Sequence, residues 1–123
     1  MEISKAELEV LQAIWQQNPC SANDIIETLG NTRNWHEKTV KTLLSRLVKK
    51  GAIDFQKDRR RYLYFPLIKR STYTQKESQS LLDRLFNGKV SPLIASFAEK
   101  EGLVKEDISE LKKLIADWEK EHD

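Results

Sequence analysis

The apolar residues between Val40 and Phe65 change period once, at Gly51, and that change limits the folds open to the chain. Before it, Val40, Leu43, Leu44, Leu47 and Val48 recur at i, i+3, i+4, i+7 and i+8, the spacing that lays one wide apolar stripe along a helix. After it, Ile53 and Phe55 alternate with polar residues, and Leu63 and Phe65 do so again beyond the turn "QKDRRR". That is the period-two pattern of a β-hairpin, here with a basic tip. Gly51 closes the helix and Pro66 limits the second strand.

The helix needs partners for its stripe, and they lie upstream. Ser4 with Glu7 three residues on forms a capping-box pattern, followed by Leu8, Leu11, Ile14 and Trp15 at helical spacing, so a first helix is predicted to end near "QQNP". Ser21 caps a second, short helix through Ile25, Ile26 and Leu29, with Asp24 in its first turn and Gly30 as a stop. A polar connection, "NTRNW", leads to the third helix. Three helices followed by a two-stranded hairpin is the order of a winged helix-turn-helix, assigned to residues 1–70.

Beyond "PLIKRST" the helical pattern returns over residues 71–123. Leu81, Leu82, Leu85 and Phe86 mark a fourth helix ending at "NG"; Pro92 opens a fifth through Leu93, Ile94 and Phe97 to Gly102. Val104, Ile108, Leu111, Ile115 and Trp118 then step by 4, 3, 4 and 3, a narrow coiled-coil-like seam. Three short helices bury such positions poorly by themselves, so a second copy is the expected cover, with Leu81, Leu85, Leu93, Phe97, Val104, Ile108, Leu111, Ile115 and Trp118 at the homodimer interface. The fold class is thus mainly α (α+β): a winged helix-turn-helix and a three-helix C-terminal dimerisation region.

Charge separates the two parts. The formal net charge is only +2, but residues 33–70 hold twelve Lys and Arg against three acids, whereas 71–123 hold eight against eleven. A basic working surface on the first part follows. On the third helix the face opposite the stripe holds Lys38, Thr42, Ser45 and Lys49, flanked by Thr39, Lys41 and Arg46. Placed in a DNA major groove, Lys38 would address guanine acceptors and Thr39 or Thr42 thymine methyls or phosphates. Lys41, Arg46, Lys49 and Lys50 would pair with backbone phosphates. Arg59, Arg60 and Arg61 at the hairpin tip would reach phosphates or a neighbouring minor groove. The bland alternative is a solvated helix face plus a charged turn that protects a sheet edge; the helix order and the hairpin together favour double-stranded DNA.

Other classes find little to stand on. The two histidines, His36 and His122, have no neighbours in sequence that would form a triad or a metal site, and there is no glycine-rich phosphate loop among four glycines. Neither an enzyme, a cofactor nor a metal is expected. A protein-interaction module using the winged-helix surface, or a nonspecific nucleic-acid binder, is the remaining alternative; an RNA binder would want more stacking aromatics than Tyr62 and Tyr64. The single cysteine, Cys20, reads as a packing residue, and Trp15, Trp35 and Trp118 as core or seam. No apolar run approaches the ~20 residues that span a bilayer, so no membrane insertion and a cytoplasmic location are expected.

The blocks "ISKAELEVLQAIW", "SANDIIETL", "KTVKTLLSRLVKKGAID" and "FAEKEGL" with "DISELKKLI" resemble, in residues and in spacing, the penicillinase repressor (BlaI/MecI/CopY) family of bacterial transcriptional regulators over nearly the whole chain. The resemblance implies a homodimeric repressor that binds an inverted-repeat operator through its winged helix, with Lys38, Thr39, Lys41, Thr42 and Arg46 at recognition positions. In β-lactam-responsive members a sensor protease cuts an Asn-Phe bond; the equivalent position here is Ser96-Phe97, which keeps the phenylalanine and not the asparagine. The copper-responsive branch carries Cys-X-Cys motifs near its C-terminus, whereas this chain ends "ADWEKEHD", so copper sensing by thiolates is not expected.

Overall fold

The structure, a computed structural model, describes residues 2–30 and 34–123. In chain order it contains α1 (Lys5–Gln16), α2 (Ala22–Gly30), α3 (Glu37–Lys49), β1 (Ile53–Asp58), β2 (Arg61–Pro66), α4 (Arg70–Phe86), α5 (Val90–Ala98) and α6 (Lys105–His122). The chain divides into two compact units, Met1–Thr74 and Gln75–Asp123.

In the first unit the expected caps are made. Ser4 Oγ accepts the Glu7 N–H at 3.1 Å while Glu7 Oε1 accepts the Ser4 N–H at 2.8 Å. Ser21 and Asp24 repeat the exchange at the start of α2, at 3.2 and 2.9 Å. Each pair satisfies N–H groups that a helix start leaves without intrahelical partners. The apolar stripes then meet. Val10, Leu11 and Ile14 of α1, Ile25 and Leu29 of α2, and Val40, Leu43, Leu44 and Leu47 of α3 form one buried core, joined by Cys20, Ala52 and Ile53. Trp15 and Trp35 are half-buried against it, and the Trp15 indole N–H donates to the Ile68 carbonyl at 2.9 Å. Of the connection "NTRNW", residues 31–33 lie outside the described residues.

The hairpin pairs antiparallel from Ile53↔Pro66 to Asp58↔Arg61. Its turn is therefore only Arg59 and Arg60, tighter than the six-residue tip read from the sequence, and Arg61 belongs to β2. Gly51 has φ +78°, the left-handed conformation glycine adopts without steric cost. It turns the chain from α3 towards β1.

The α4 helix begins at Arg70, well before Leu81, and α5 ends at Ala98, short of Gly102. The Gly102 N–H instead donates to the Phe97 carbonyl at 2.8 Å, and a Cβ at Gly102 would stand 3.1 Å from that oxygen, so the absence of a side chain lets the backbone fold back onto the end of α5. Val104 precedes α6 rather than lying within it, its N–H taken by Asp107 at 3.2 Å.

Candidate nucleic-acid interface

The α3 helix is built to be two-faced. Its buried side anchors it in the core, and Lys38, Thr39, Lys41, Thr42, Ser45, Arg46 and Lys49 are all exposed on the rest of its surface. His36 is its N-cap, with Nδ1 accepting the Lys38 N–H at 3.4 Å. Glu37 in the first turn complements the helix dipole and lies 3.0 Å from Lys41. That pair is exposed and contributes little to stability, so the Lys41 ammonium can exchange partners cheaply. Thr42 Oγ1 donates to the Lys38 carbonyl at 2.9 Å, which leaves its oxygen able to accept a further hydrogen bond.

The wing places further cations beside this face. Arg59, Arg60 and Arg61 are exposed at the end of the hairpin, with Arg61 Nη2 4.0 Å from Asp58. Arg59 holds φ +61°, a conformation that costs a non-glycine residue about 1 to 2 kcal/mol. Behind the arginines lies an aromatic cluster: the Phe55 ring is 4.6 Å from Tyr62 and 5.8 Å from Tyr64, centre to centre. A cleft of about 570 Å³ opens between this strand, the first turns of α3 and the start of α2, lined by Lys41, Arg60, Arg61, Tyr62, Tyr64, Glu37 and Ser21 to Asp24. Sequence reasoning named the cations but not the surroundings they share; the alternation of Tyr62 and Tyr64 along one strand face was the available signal. Burial, with the neighbouring Tyr62, raises the Tyr64 phenol above its ordinary value against the opposing pull of Lys41.

Lys50 does not join this surface as expected. Its Nζ lies 2.6 Å from Glu7 Oε1 and 2.6 Å from the Glu2 carbonyl. As the C-cap of α3 it meets the buried Glu7 carboxylate, which claims its charge. Burial alone would raise the Glu7 carboxyl; the hydrogen bond from Lys50 and those with Ser4 outweigh it, and the group sits below its ordinary value. Cys20 is buried, with its thiol pushed up to about 11 by burial and by the nearby Asp24.

The C-terminal seam is largely uncovered in the single chain. No residue of α4, α5 or α6 is fully buried. Leu81, Leu93 and Leu111 are half-buried; Val104, Ile108 and Phe97 are exposed, as are Leu85 at 63%, Ile115 at 56% and Trp118 at 60%. Trp118 is thus not a core residue of this chain; it stacks on His122 at 4.0 Å. Leu114, 65% exposed, belongs with them although the 4-3 count skipped it. Phe97 lines a groove of about 370 Å³ between α5 and α6 with Leu93, Ile94, Leu103, Leu111 and Leu114. The Ser96-Phe97 bond lies inside α5, where Ser96 Oγ donates to the Leu93 carbonyl at 2.7 Å.

Among the described residues no three His, Cys, Asp or Glu side chains gather as metal ligands, and no helix is long and apolar enough to cross a membrane. Three helices with a basic exposed face on the third, followed by a two-stranded wing, make this a winged helix-turn-helix protein. Residues 3–117 match the penicillinase repressor family. The chain is 39% identical to the penicillinase repressor of Bacillus licheniformis over 93% of its length and 89% of that protein's, and 40% identical to the methicillin resistance regulatory protein MecI of Mammaliicoccus sciuri over 93% of both. Among solved structures it resembles the DNA-binding domain of the repressor BlaI, at 43% identity and TM-score 0.54 over 58% of this chain and 88% of that one. It also resembles monomeric Bacillus licheniformis BlaI in complex with the blaP half-operator, at 42% identity and TM-score 0.52 over 59% of this chain and 89% of that one. The chain belongs to the penicillinase repressor family, a family of regulators rather than enzymes.

Proposed function

We propose that the chain is a DNA-binding transcriptional repressor that grips an inverted-repeat operator as a homodimer, acting in the cytoplasm. Residues 1–70 bind DNA and residues 71–123 dimerise. The observation that carries this reading is the two-faced α3: its buried side is locked into the core, and Lys38, Thr39, Lys41, Thr42, Arg46 and Lys49 are exposed on the other. A related repressor of the same fold has been seen with a half-operator. With α3 in the major groove, Lys38 and Thr39 near its N-terminal end meet base edges, while Lys41, Arg46 and Lys49 meet phosphates and Arg59, Arg60 and Arg61 of the wing lie on the flanking backbone. The exposed apolar residues of the second unit support dimerisation, because a monomer leaves them in water.

Selection of duplexes from a random pool by the full-length protein tests the reading. The expected product is an inverted repeat with half-sites about one or two helical turns apart; no enrichment, with residual binding that vanishes at moderate salt, would assign the basic face to nonspecific or protein contacts. On the selected site Lys38→Ala is expected to relax preference at one position by about 1 to 3 kcal/mol, and Lys49→Ala to weaken all duplexes alike and lower the salt slope by about one unit. Identical effects of both changes on specific and random DNA would refute the base-reading role of Lys38. Relief of repression by a sensor protease at Ser96-Phe97 requires α5 to unwind locally; a chain left intact by a sensor protease rules out that route for the pairing.

A further inference from the structure

Three residues join the recognition helix to the wing: Lys50, the C-cap of α3; Gly51, at φ +78°; and Ala52, wholly buried. On one side the elbow is held by the core, with the Ala52 N–H donating to the Leu47 carbonyl at 3.0 Å and the Leu67 N–H to the Ala52 carbonyl at 2.9 Å. The Lys50 side chain ties it to the start of the chain as well, its ammonium 2.6 Å from Glu7 Oε1 and 2.6 Å from the Glu2 carbonyl. Glu7 is 1% exposed, and its second oxygen, Oε2, is buried with no hydrogen-bond partner. A buried carboxylate with one satisfied oxygen is a costly thing to keep. An apolar residue at this position would leave no orphaned acceptor, but it would break the capping box and leave Lys50 without its partner. Beyond accepting the Ser4 N–H, the carboxylate holds the Lys50 cation at the elbow.

We propose that Glu7, through Lys50, is a positioning residue for DNA binding: the pair sets the angle between α3 and the hairpin so that the helix and the wing reach the same duplex together. This rests on the reading of α3 and the wing as DNA-contacting elements and adds a residue in α1 that touches no DNA. Neither half of the pair is interchangeable with a free surface charge. Lys50 is withdrawn from the duplex so that Lys49, its neighbour, and the wing arginines arrive in register.

A coupling experiment on the full-length protein tests this. Arg60→Ala is made in the wild-type chain and in the doubly neutral Glu7→Gln/Lys50→Met chain, in which no charge is left buried; thermal unfolding of each checks that it is folded. In the wild type, Arg60→Ala is expected to weaken operator binding about tenfold, the scale of one charge-assisted contact. In the neutral background the wing no longer arrives in register, and the same change is expected to cost less than about threefold, a non-additivity that a general loss of stability does not produce. An equal cost in both backgrounds overturns the positioning role and leaves the DNA-binding reading standing. No cost of Arg60→Ala in the wild type removes the wing contact itself and the positioning role with it.

Discussion

If a second copy covers the C-terminal unit, one charge in the middle of its apolar face will undo the assembly. Ile115 is 56% exposed on α6, between the neighbouring apolar residues Leu111, Leu114 and Trp118. Covering the exposed half of an isoleucine recovers about 1 kcal/mol. Ile115→Asp forfeits this and forces a carboxylate against an apolar partner surface, where an unpaired polar group costs on the order of 2 kcal/mol or more. Across a two-fold axis each substitution counts twice. Counted in both copies, the two contributions weaken association by on the order of 6 kcal/mol, about four decades in dissociation constant at about 1.4 kcal/mol per decade. Sedimentation velocity over a wide concentration series reads the effect directly, and Lys113→Asp, roughly 200° round the same helix, serves as the control. The expected result is a monomeric Ile115→Asp chain whose first unit unfolds as in the wild type, and a Lys113→Asp chain that still associates. Unchanged self-association of Ile115→Asp, or the same loss from Lys113→Asp, would show that this face is not the one that is covered.

Acid stability follows from Glu7. Its carboxyl lies below its ordinary value of 4.5 when folded, so the stability it contributes is fully present above that value and is lost as pH falls through the lower folded one. Denaturant unfolding between neutral and acid pH should accordingly show a shallower acid limb in Glu7→Gln than in the wild type; parallel limbs would sink this account. Arg59→Asn places at φ +61° a residue that tolerates the left-handed region. It should raise unfolding stability by up to about 1 kcal/mol while weakening duplex binding at low salt, and a loss of stability would contradict the turn geometry. Cys20, with its thiol pushed up to about 11, should resist alkylation at mildly alkaline pH in the native chain and react on unfolding; prompt native labelling would mean the site is open.

What the sequence reveals here is what repeats at short range. The stripe of Val40, Leu43, Leu44 and Leu47 is legible because all four residues report one local period, and all four are buried. The caps at Ser4 and Ser21 are legible for the same reason, since both partners of each exchange lie three residues apart. The start of α4 is not, because "RSTYTQKESQS" carries no apolar stripe and its helix at Arg70 has no period to announce it. The exposed basic face of α3 can be drawn from a helical wheel, whereas the contact that ties Lys50 to α1 cannot. Its partner Glu7 lies 43 residues away, and a wheel holds only one helix. A tertiary ion pair is invisible to periodicity unless a second signal points to it, and here one existed: Glu7 takes a helical step before Leu11 and Ile14 along the stripe that packs α1 against the core, where a charged residue needs a counter-charge. A charge on the buried face of one helix and a surplus lysine at the end of another are, taken together, a request for contact. The same sequence that lays a basic face on α3 thus also marks the lysine tied back to α1.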